Sequence, residues 1–314
     1  MLEILTVALP FFGLILAGVI AGRIWKIGEE GLAWLNVFVI YFALPALIFL
    51  VVAATPLEKL ANPGFVGATA SVTAACFLLM LLLSWRLFGA SLREAALQGT
   101  SASYGNVGYM GLPLAVAFFG PEAAVPAALV FCFDCTVEFV LTAAFASAGG
   151  AQGSRAGLVT KLLRDVFSHP FIIATLLGVL ASASGVQPKG ALLGILEMWM
   201  KAAGPVALFA MGVTVALRGR PTVGREMPSL VVIKLLLQPA LAFLAVNYLV
   251  SADQVWLQAA VMMAALPTAG NAFILSRQYN AYVAGSGSAV IITTIFSVIT
   301  IPVIVFVLQH MSRN

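Results

Sequence analysis

Ser101-Ala102-Ser103-Tyr104-Gly105-Asn106-Val107-Gly108-Tyr109-Met110-Gly111-Leu112-Pro113 interrupts, at mid-length, an apolar run that extends from 94 to 119. Glycine and proline weaken a helix here and free backbone N–H and C=O groups. A second run, 255–278, carries a comparable interruption at Ala265-Leu266-Pro267-Thr268-Ala269-Gly270-Asn271-Ala272-Phe273. An amide side chain satisfies one donor and one acceptor at once. Asn106 and Asn271 are therefore expected to close the two breaks, with Pro113, Pro267, Gly108 and Gly111 holding them open as helix-break residues.

The surroundings fix the solvent in which such breaks must survive. Of 314 residues, 62% are hydrophobic and only 9% charged. Soluble domains carry about 25% charged residues, so this chain cannot coat a globule in water. Lipid is the matching solvent, and a spanning helix needs about 20 apolar residues. Ten such runs fall near 3–22, 32–53, 64–86, 94–119, 122–147, 166–184, 193–217, 228–250, 255–278 and 281–308. The expected fold class is an all-α polytopic membrane protein in which spans 4 and 9 are broken. In hydrocarbon, irregular backbone persists only where it is buried in protein or lines a wet cavity.

Positive charge separates by loop. Those after spans 1, 3, 5, 7 and 9 hold Arg23, Lys26, Arg86, Arg93, Arg155, Lys161, Arg164, Arg218, Arg220, Arg225 and Arg277, 11 of the 16 Lys and Arg. The opposite side has Lys59, Lys189 and Arg313, while Lys201 and Lys234 lie within spans. The positive-inside rule puts those five loops in the cytoplasm and both termini outside, in a membrane of the bacterial inner type. The net charge of +4 is spread over short loops, so it reads as a topology signal and not as a nucleic-acid surface.

The segment 148–165, rich in Gly and Ser and then basic, reads as a cytoplasmic linker between 1–147 and 166–314. The halves align at a shift of 160 residues, with Pro10 over Pro170, Gly18 over Gly178 and Pro45 over Pro205. Five spans per half is odd, so the second copy enters the membrane from the other side, an inverted repeat of the kind found in alternating-access carriers. Each broken helix then presents a half-helix N-terminus, with unpaired N–H groups and partial positive charge, near the bilayer centre. Ser103, Tyr104, Gly105, Asn106, Thr268, Gly270 and Asn271 are the expected lining of a site for a small organic anion.

Intramembrane charges default to function. Asp134 and Glu138 lie one turn apart in span 5. Three readings stand open: coupling to a proton or sodium ion, an ion pair with Lys234 of span 8 (which could also snorkel), or an aqueous vestibule. No other cofactor is expected, and no metal. Cys132-x-x-Cys135 lacks the partners of a zinc site and the context of a redox motif. Glu197 and Lys201 read as a surface pair, Asn36 and Asn247 as interhelical contacts, and Gly18-x-x-x-Gly22 as a site of close packing. His169 reads as an interfacial residue. Trp25, Trp34, Trp85, Trp199 and Trp256 fall near span ends, as an interfacial belt does.

Taken together, several motifs resemble the auxin efflux carrier family: Leu9-Pro10 through Gly22-Arg23, Ala43-Leu44-Pro45-Ala46-Leu47-Ile48-Phe49, Gly105 through Pro113, Lys234 with Pro239, and Leu266-Pro267 with Asn271. The resemblance implies ten helices in two inverted repeats, with a scaffold of spans 1, 2, 6 and 7. It implies a moving transport domain of spans 3–5 and 8–10, crossed helices 4 and 9 at the site, organic-anion substrates and a homodimer. The chain lacks the long central cytoplasmic loop of many plant members. A ligand sensor built on the carrier fold is the other reading the sequence leaves open. An enzyme is disfavoured, since neither His-Glu-x-x-His nor Gly-x-Ser-x-Gly occurs.

Overall fold

The computed structural model describes residues 2–26, 28–60, 62–148, 168, 170–217, 221–250 and 252–311. The expected linker beyond Ala148, His169, Arg218 and Arg220 lie outside the described residues. Among the described residues, apart from the single turn Leu57–Leu60, twelve helices follow one another: α1 (Leu2–Ile24), α2 (Glu29–Ala53), α3 (Pro63–Leu87), α4 (Leu92–Ser103), α5 (Val107–Phe119), α6 (Pro121–Ala148), α7 (Pro170–Ser184), α8 (Gly190–Leu217), α9 (Met227–Leu249), α10 (Gln254–Ala264), α11 (Gly270–Gln278) and α12 (Val283–Met311). Six of them, α2, α3, α6, α8, α9 and α12, are long and apolar enough to cross a membrane.

Each expected run coincides with one helix or, for 94–119 and 255–278, with two. Its polarity is inside out relative to a soluble protein. Leu78, Leu82, Leu176, Leu180, Ile295 and Ile299 are exposed, whereas Gln98, Ser101, Asp134, Glu138, Lys234 and Gln238 are buried. Such a surface is stable only against lipid. The chain is an integral membrane protein. Helix α4 is the exception that fits this rule: it is the least apolar of the set, and every residue from Ala95 to Ser103 is buried among neighbouring helices.

Three helices carry a widened π-turn: Val39–Ala43 in α2, Val107–Gly111 in α5 and Ile233–Leu237 in α9. Each ends two residues before a proline, at Pro45, Pro113 and Pro239. Proline lacks an N–H and its ring crowds the carbonyl one turn back. Widening that turn relieves the crowding without ending the helix. Pro113 is thus accommodated inside α5, and the break in this segment lies earlier, at residues 104–106. That corrects its expected role as the residue holding the break.

Helices α1, α2, α7 and α8 pack on one another, with α1 against α8 and α7 against α2. Helices α3, α4, α6, α9, α10, α11 and α12 form a second group. The α1–α8 seam is backbone against backbone: a Cβ on Gly18 would lie 2.1 Å from the Phe209 carbonyl oxygen, and one on Gly212 would lie 2.0 Å from that of Ile15. Gly22 faces Ala216 in the same seam, so both glycines of the Gly-x-x-x-Gly motif are used. Trp25, Trp34 and Trp85 are exposed at helix ends, but Trp256 turns inward onto Phe65 (ring centroids 4.7 Å apart). Asn36 bonds to Tyr109, whereas Asn247 is exposed and, among the described residues, makes no interhelical hydrogen bond, contrary to expectation.

Because the α1–α8 seam has no room, Gly212→Ala is expected to destabilise the protein by about 1–3 kcal/mol. Gly13, on the exposed face of α1, has nothing within 4 Å of its added Cβ. Gly13→Ala is expected to stay within about 0.5 kcal/mol of wild type. Thermal unfolding midpoints in detergent compare the two.

Candidate functional site

Helix α4 stops at Ser103 because Tyr104 turns extended (φ −75°, ψ 100°). Helix α5 restarts at Val107, with Asn106 as its cap: the Asn106 Oδ1 accepts from the Tyr109 N–H at 3.3 Å. In the other interruption α10 stops at Ala264, and α11 restarts after the extended Ala269. The two irregular segments lie antiparallel and bond to each other. The Asn106 N–H donates to the Pro267 carbonyl and the Ala269 N–H to that of Tyr104, both at 2.8 Å. Gly105 faces Thr268 across this short bridge. Thr268 locks it on both sides, its hydroxyl donating to the Ser101 carbonyl at 2.7 Å and its N–H to Thr293 Oγ1 at 3.0 Å.

A cavity of about 50 Å³ opens beside the bridge. Asn106, Val107 and Gly108 from the start of α5 line it, together with Ala269, Gly270 and Asn271 from the start of α11. Tyr104 and Gly105 complete the polar wall, while Ile40, Leu44, Phe131 and Phe171 supply an apolar one. The Asn271 Nδ2 donates to the Tyr104 hydroxyl at 3.1 Å, and that hydroxyl donates to Cys135 Sγ at 3.1 Å. The Asn106 Nδ2 points at Met211 Sδ of α8, 2.8 Å away.

Among the expected site residues, Tyr104, Gly105, Asn106, Gly108, Gly270 and Asn271 come together around this cavity. Ser103 and Thr268 do not line it; both are fully buried, Thr268 within the bridge and Ser103 behind it, and committed to other partners. Gly111 is a packing residue, since a Cβ there would lie 2.6 Å from Met263 Sδ. Pro113 lines a different cleft, of about 540 Å³, between α1, α2 and α8 on one side and α5 on the other. Of the two prolines expected to hold the breaks, only Pro267 lies within one.

Behind the bridge lies a buried polar network. Lys234 is wholly buried, so it does not snorkel. Its Nζ donates to Gln238 Oε1 at 2.5 Å and to the Ala264 carbonyl at 3.0 Å, where α10 ends. A Cβ on Gly105 would lie 3.2 Å from that ammonium, so the cation sits directly beneath the backbone of the cavity wall. The Gln238 Nε2 donates to the Ser103 carbonyl at 3.0 Å and, more weakly, to Thr73 Oγ1 at 3.4 Å. Thr73 in turn donates to Asp134 Oδ1 at 3.0 Å, and Ser103 Oγ bonds to Glu138 Oε1.

Neither the direct ion pair nor the vestibule is seen in this conformation. Among the described residues Lys234 makes no ion pair within 4.0 Å with either acid; Gln238 and Thr73 stand between them. Asp134 and Glu138 are buried (3% and 0% exposed), so no vestibule surrounds them in this conformation. Glu197 and Lys201 likewise form no pair and line separate clefts. Thr73, Gln238 and Met211 are the functional neighbours that sequence reasoning missed. Gln238, four residues after Lys234 in an apolar run, carried a legible signal.

Gln238 is the joint of the network. Gln238→Leu would leave a buried ammonium short of an acceptor and the Ser103 carbonyl short of a donor, at about 1–3 kcal/mol for each stranded group. Thermal unfolding in detergent is expected to show a lower midpoint for Gln238→Leu than for Gln238→Glu, which keeps the acceptor for Lys234.

Comparison with known proteins adds the family. The model of the membrane transport protein family matches residues 4–151 and 154–305. A Rhizobium meliloti (strain 1021) protein named "Putative malonate transporter" is 38% identical over 98% of this chain and 97% of its own length. The Escherichia coli (strain K12) protein named "Uncharacterized transporter YfdV" is 24% identical over 97% of each chain. An "Uncharacterized transporter" of Methanothermobacter thermautotrophicus is 26% identical over 92% of this chain and 93% of its own. With two helix interruptions bonded to each other inside a lipid-facing helical shell, and matches that run nearly end to end, the chain belongs to the membrane transport protein family, the auxin efflux carrier family that its motifs resemble.

Proposed function

We propose that the protein is a secondary carrier for a small organic anion, a carboxylate bound at the two interrupted helices. One observation carries this reading: the N-termini of α5 and α11 line the same cavity, and no acidic side chain lines it with them. The first N–H groups of a helix have no partner within it, and the macrodipole adds partial positive charge there. Two such ends, with the Lys234 ammonium beneath Gly105, make a positive field without a charged side chain in the cavity. The small polar wall and the apolar wall of Ile40, Leu44, Phe131 and Phe171 suit a short acid with a hydrocarbon portion. The name of the Rhizobium relative points to a dicarboxylate of malonate size.

In the same reading the chain crosses a bacterial inner membrane ten times as two inverted repeats, with both termini outside. Contacts between helix ends agree with this alternation: Glu29, at the start of α2, pairs with Arg277, in the last turn of α11, at 3.7 Å, and Gln187, after α7, donates to the Ala53 carbonyl at the end of α2. Helices α1, α2, α7 and α8 serve as the scaffold, and the remaining helices move as an elevator carrying the site. The pairing of α1 with α8 and of α7 with α2, which exchanges the two halves, supports the repeat. Two clefts, of about 540 and 570 Å³, separate the groups on the side of the α2–α3 and α9–α10 connections. They leave room for one group to slide on the other. A homodimer formed through the scaffold rests on the family resemblance alone.

Asn271 and Asn106 decide the site. Removal of either polar side chain is expected to weaken anion binding by about 1–3 kcal/mol, roughly 5- to 100-fold. The measurement is counterflow of labelled malonate in proteoliposomes for wild type, Asn106→Ala and Asn271→Ala. A pure sensor would show no counterflow even as wild type. Wild-type counterflow in both variants would place the anion elsewhere.

A further inference from the structure

Glu138 is a buried titratable group for which the anion site has no use. It lies on α6 with no exposed area, one turn after Asp134. Its Oε1 meets Ser103 Oγ, and its Oε2 is buried without a hydrogen-bond partner. Ser103 Oγ also lies 2.9 Å from the Gly99 carbonyl. A serine hydroxyl owns one proton, and here it has two acceptors. Were Glu138 ionised, the serine would serve the carboxylate and leave a charged oxygen without a protein donor at a fully buried position, which is costly. With a proton on Glu138 the bonds run in one direction, from the Glu138 hydroxyl to Ser103 Oγ and from Ser103 to Gly99.

The charge count leads to the same place. One cation, Lys234, shares this interior with two acids. The relay from Lys234 through Gln238 and Thr73 delivers its donors to Asp134, so Asp134 is the acid that balances the ammonium. A single further proton brings the cluster to neutrality. The other titratable groups facing Glu138 are Cys135 on α6, Cys76 on α3 and Tyr104 at the interruption, all neutral hydrogen-bonding or apolar neighbours. Helices α10 and α12, packed around the same interior, contain no Asp, Glu, Lys or Arg. Ser103 is also the last residue of α4, directly before Tyr104, which lines the anion cavity and bonds to Asn271. Occupancy at Glu138 therefore acts on the interruption itself.

We infer that Glu138 is the proton site of the carrier, so that the protein moves its anion together with a proton. This rests on the anion-carrier reading. On the outer side the Glu138 carboxylate takes a proton from water; on the cytoplasmic side the carboxyl returns it to water as the anion leaves. The moving group then crosses the lipid with its internal charges cancelled, save those of the anion.

The test uses the full chain in proteoliposomes, labelled malonate as the probe, and the membrane voltage clamped at zero. Outer pH is held constant, so the ionisation of external malonate does not change, and inner pH is raised. One proton per anion predicts about tenfold accumulation per pH unit at equilibrium. Glu138→Gln is expected to abolish that accumulation. Infrared spectroscopy reads the site without transport: a carboxylic-acid carbonyl band in wild type is expected to vanish in Glu138→Gln and to persist in Asp134→Asn. Malonate counterflow without any response to the pH gradient would overturn the proton site while leaving the anion site standing, as would accumulation driven by a sodium gradient instead. Absence of counterflow in wild type would remove the anion site and the proton site with it. If Glu138→Gln does not fold, the infrared band decides, because a malonate monoanion carried alone would accumulate in the same way: persistence of the band in Asp134→Asn supports a protonated Glu138, and its absence from wild type overturns it.

Discussion

Inside hydrocarbon every backbone N–H and C=O must find a partner, and at the two helix interruptions the partner is the other interruption. The bonds from the Asn106 N–H to Pro267 and from the Ala269 N–H to Tyr104 are the joint on which the remaining geometry hangs. Neither break is stable alone, because unsatisfied backbone in lipid costs several kcal/mol per group. Together they leave α5 and α11 with N-termini that converge on one cavity. The side chains expected to do the closing are secondary: Asn106 caps α5 and Asn271 bonds to the Tyr104 hydroxyl, while Thr268 fastens the bridge to α4 and α12.

The same joint explains where charge is kept. A lysine open to the cavity would attract anions but would need a solvated counterion on every crossing. Here the ammonium is one layer back, under Gly105, bonded to the C-terminal end of α10 and to Gln238. Carbonyls at a helix C-terminus favour a cation just as free N–H groups at an N-terminus favour an anion. The interruption of α10–α11 thus serves Lys234 with its first half and the cavity with its second. Asp134 completes the balance through two intermediaries, which keeps each buried charge hydrogen-bonded without direct contact between the acids and the base.

Much of this was legible in the sequence. The ten apolar runs matched helices within a few residues, and both interruptions fell where glycine, proline and asparagine cluster. What misled was local chemistry with two outcomes. Pro113 and Pro267 look alike as letters, yet a π-turn absorbs Pro113 within α5 while Pro267 sits in the irregular segment between α10 and α11. Ser103 and Tyr104 are adjacent, but the helix ends between them, so one faces the cavity and the other the buried acids. Asn36 and Asn247 are equally polar in equally apolar runs, and only packing decides that one meets Tyr109 and the other faces outward. Gln238, one turn after Lys234, could have been found by its spacing, but Thr73 could not, because its role exists only once α3, α6 and α9 are brought together.

The proposed elevator requires relative movement between the group that holds the candidate site and the group formed by α1, α2, α7 and α8. Pro113 of α5 and Gly204 of α8 meet at that boundary, where a Cβ on Gly204 would lie 3.2 Å from that of Pro113. Disulfides form at Cβ separations of about 3.5–4.5 Å. The direct measurement is malonate uptake by Pro113→Cys/Gly204→Cys in a background with Cys76, Cys132 and Cys135 replaced, before oxidation, after oxidation and after reduction. Oxidation should stop uptake and reduction restore it, with neither single variant responding; undiminished uptake by fully cross-linked protein would contradict the movement.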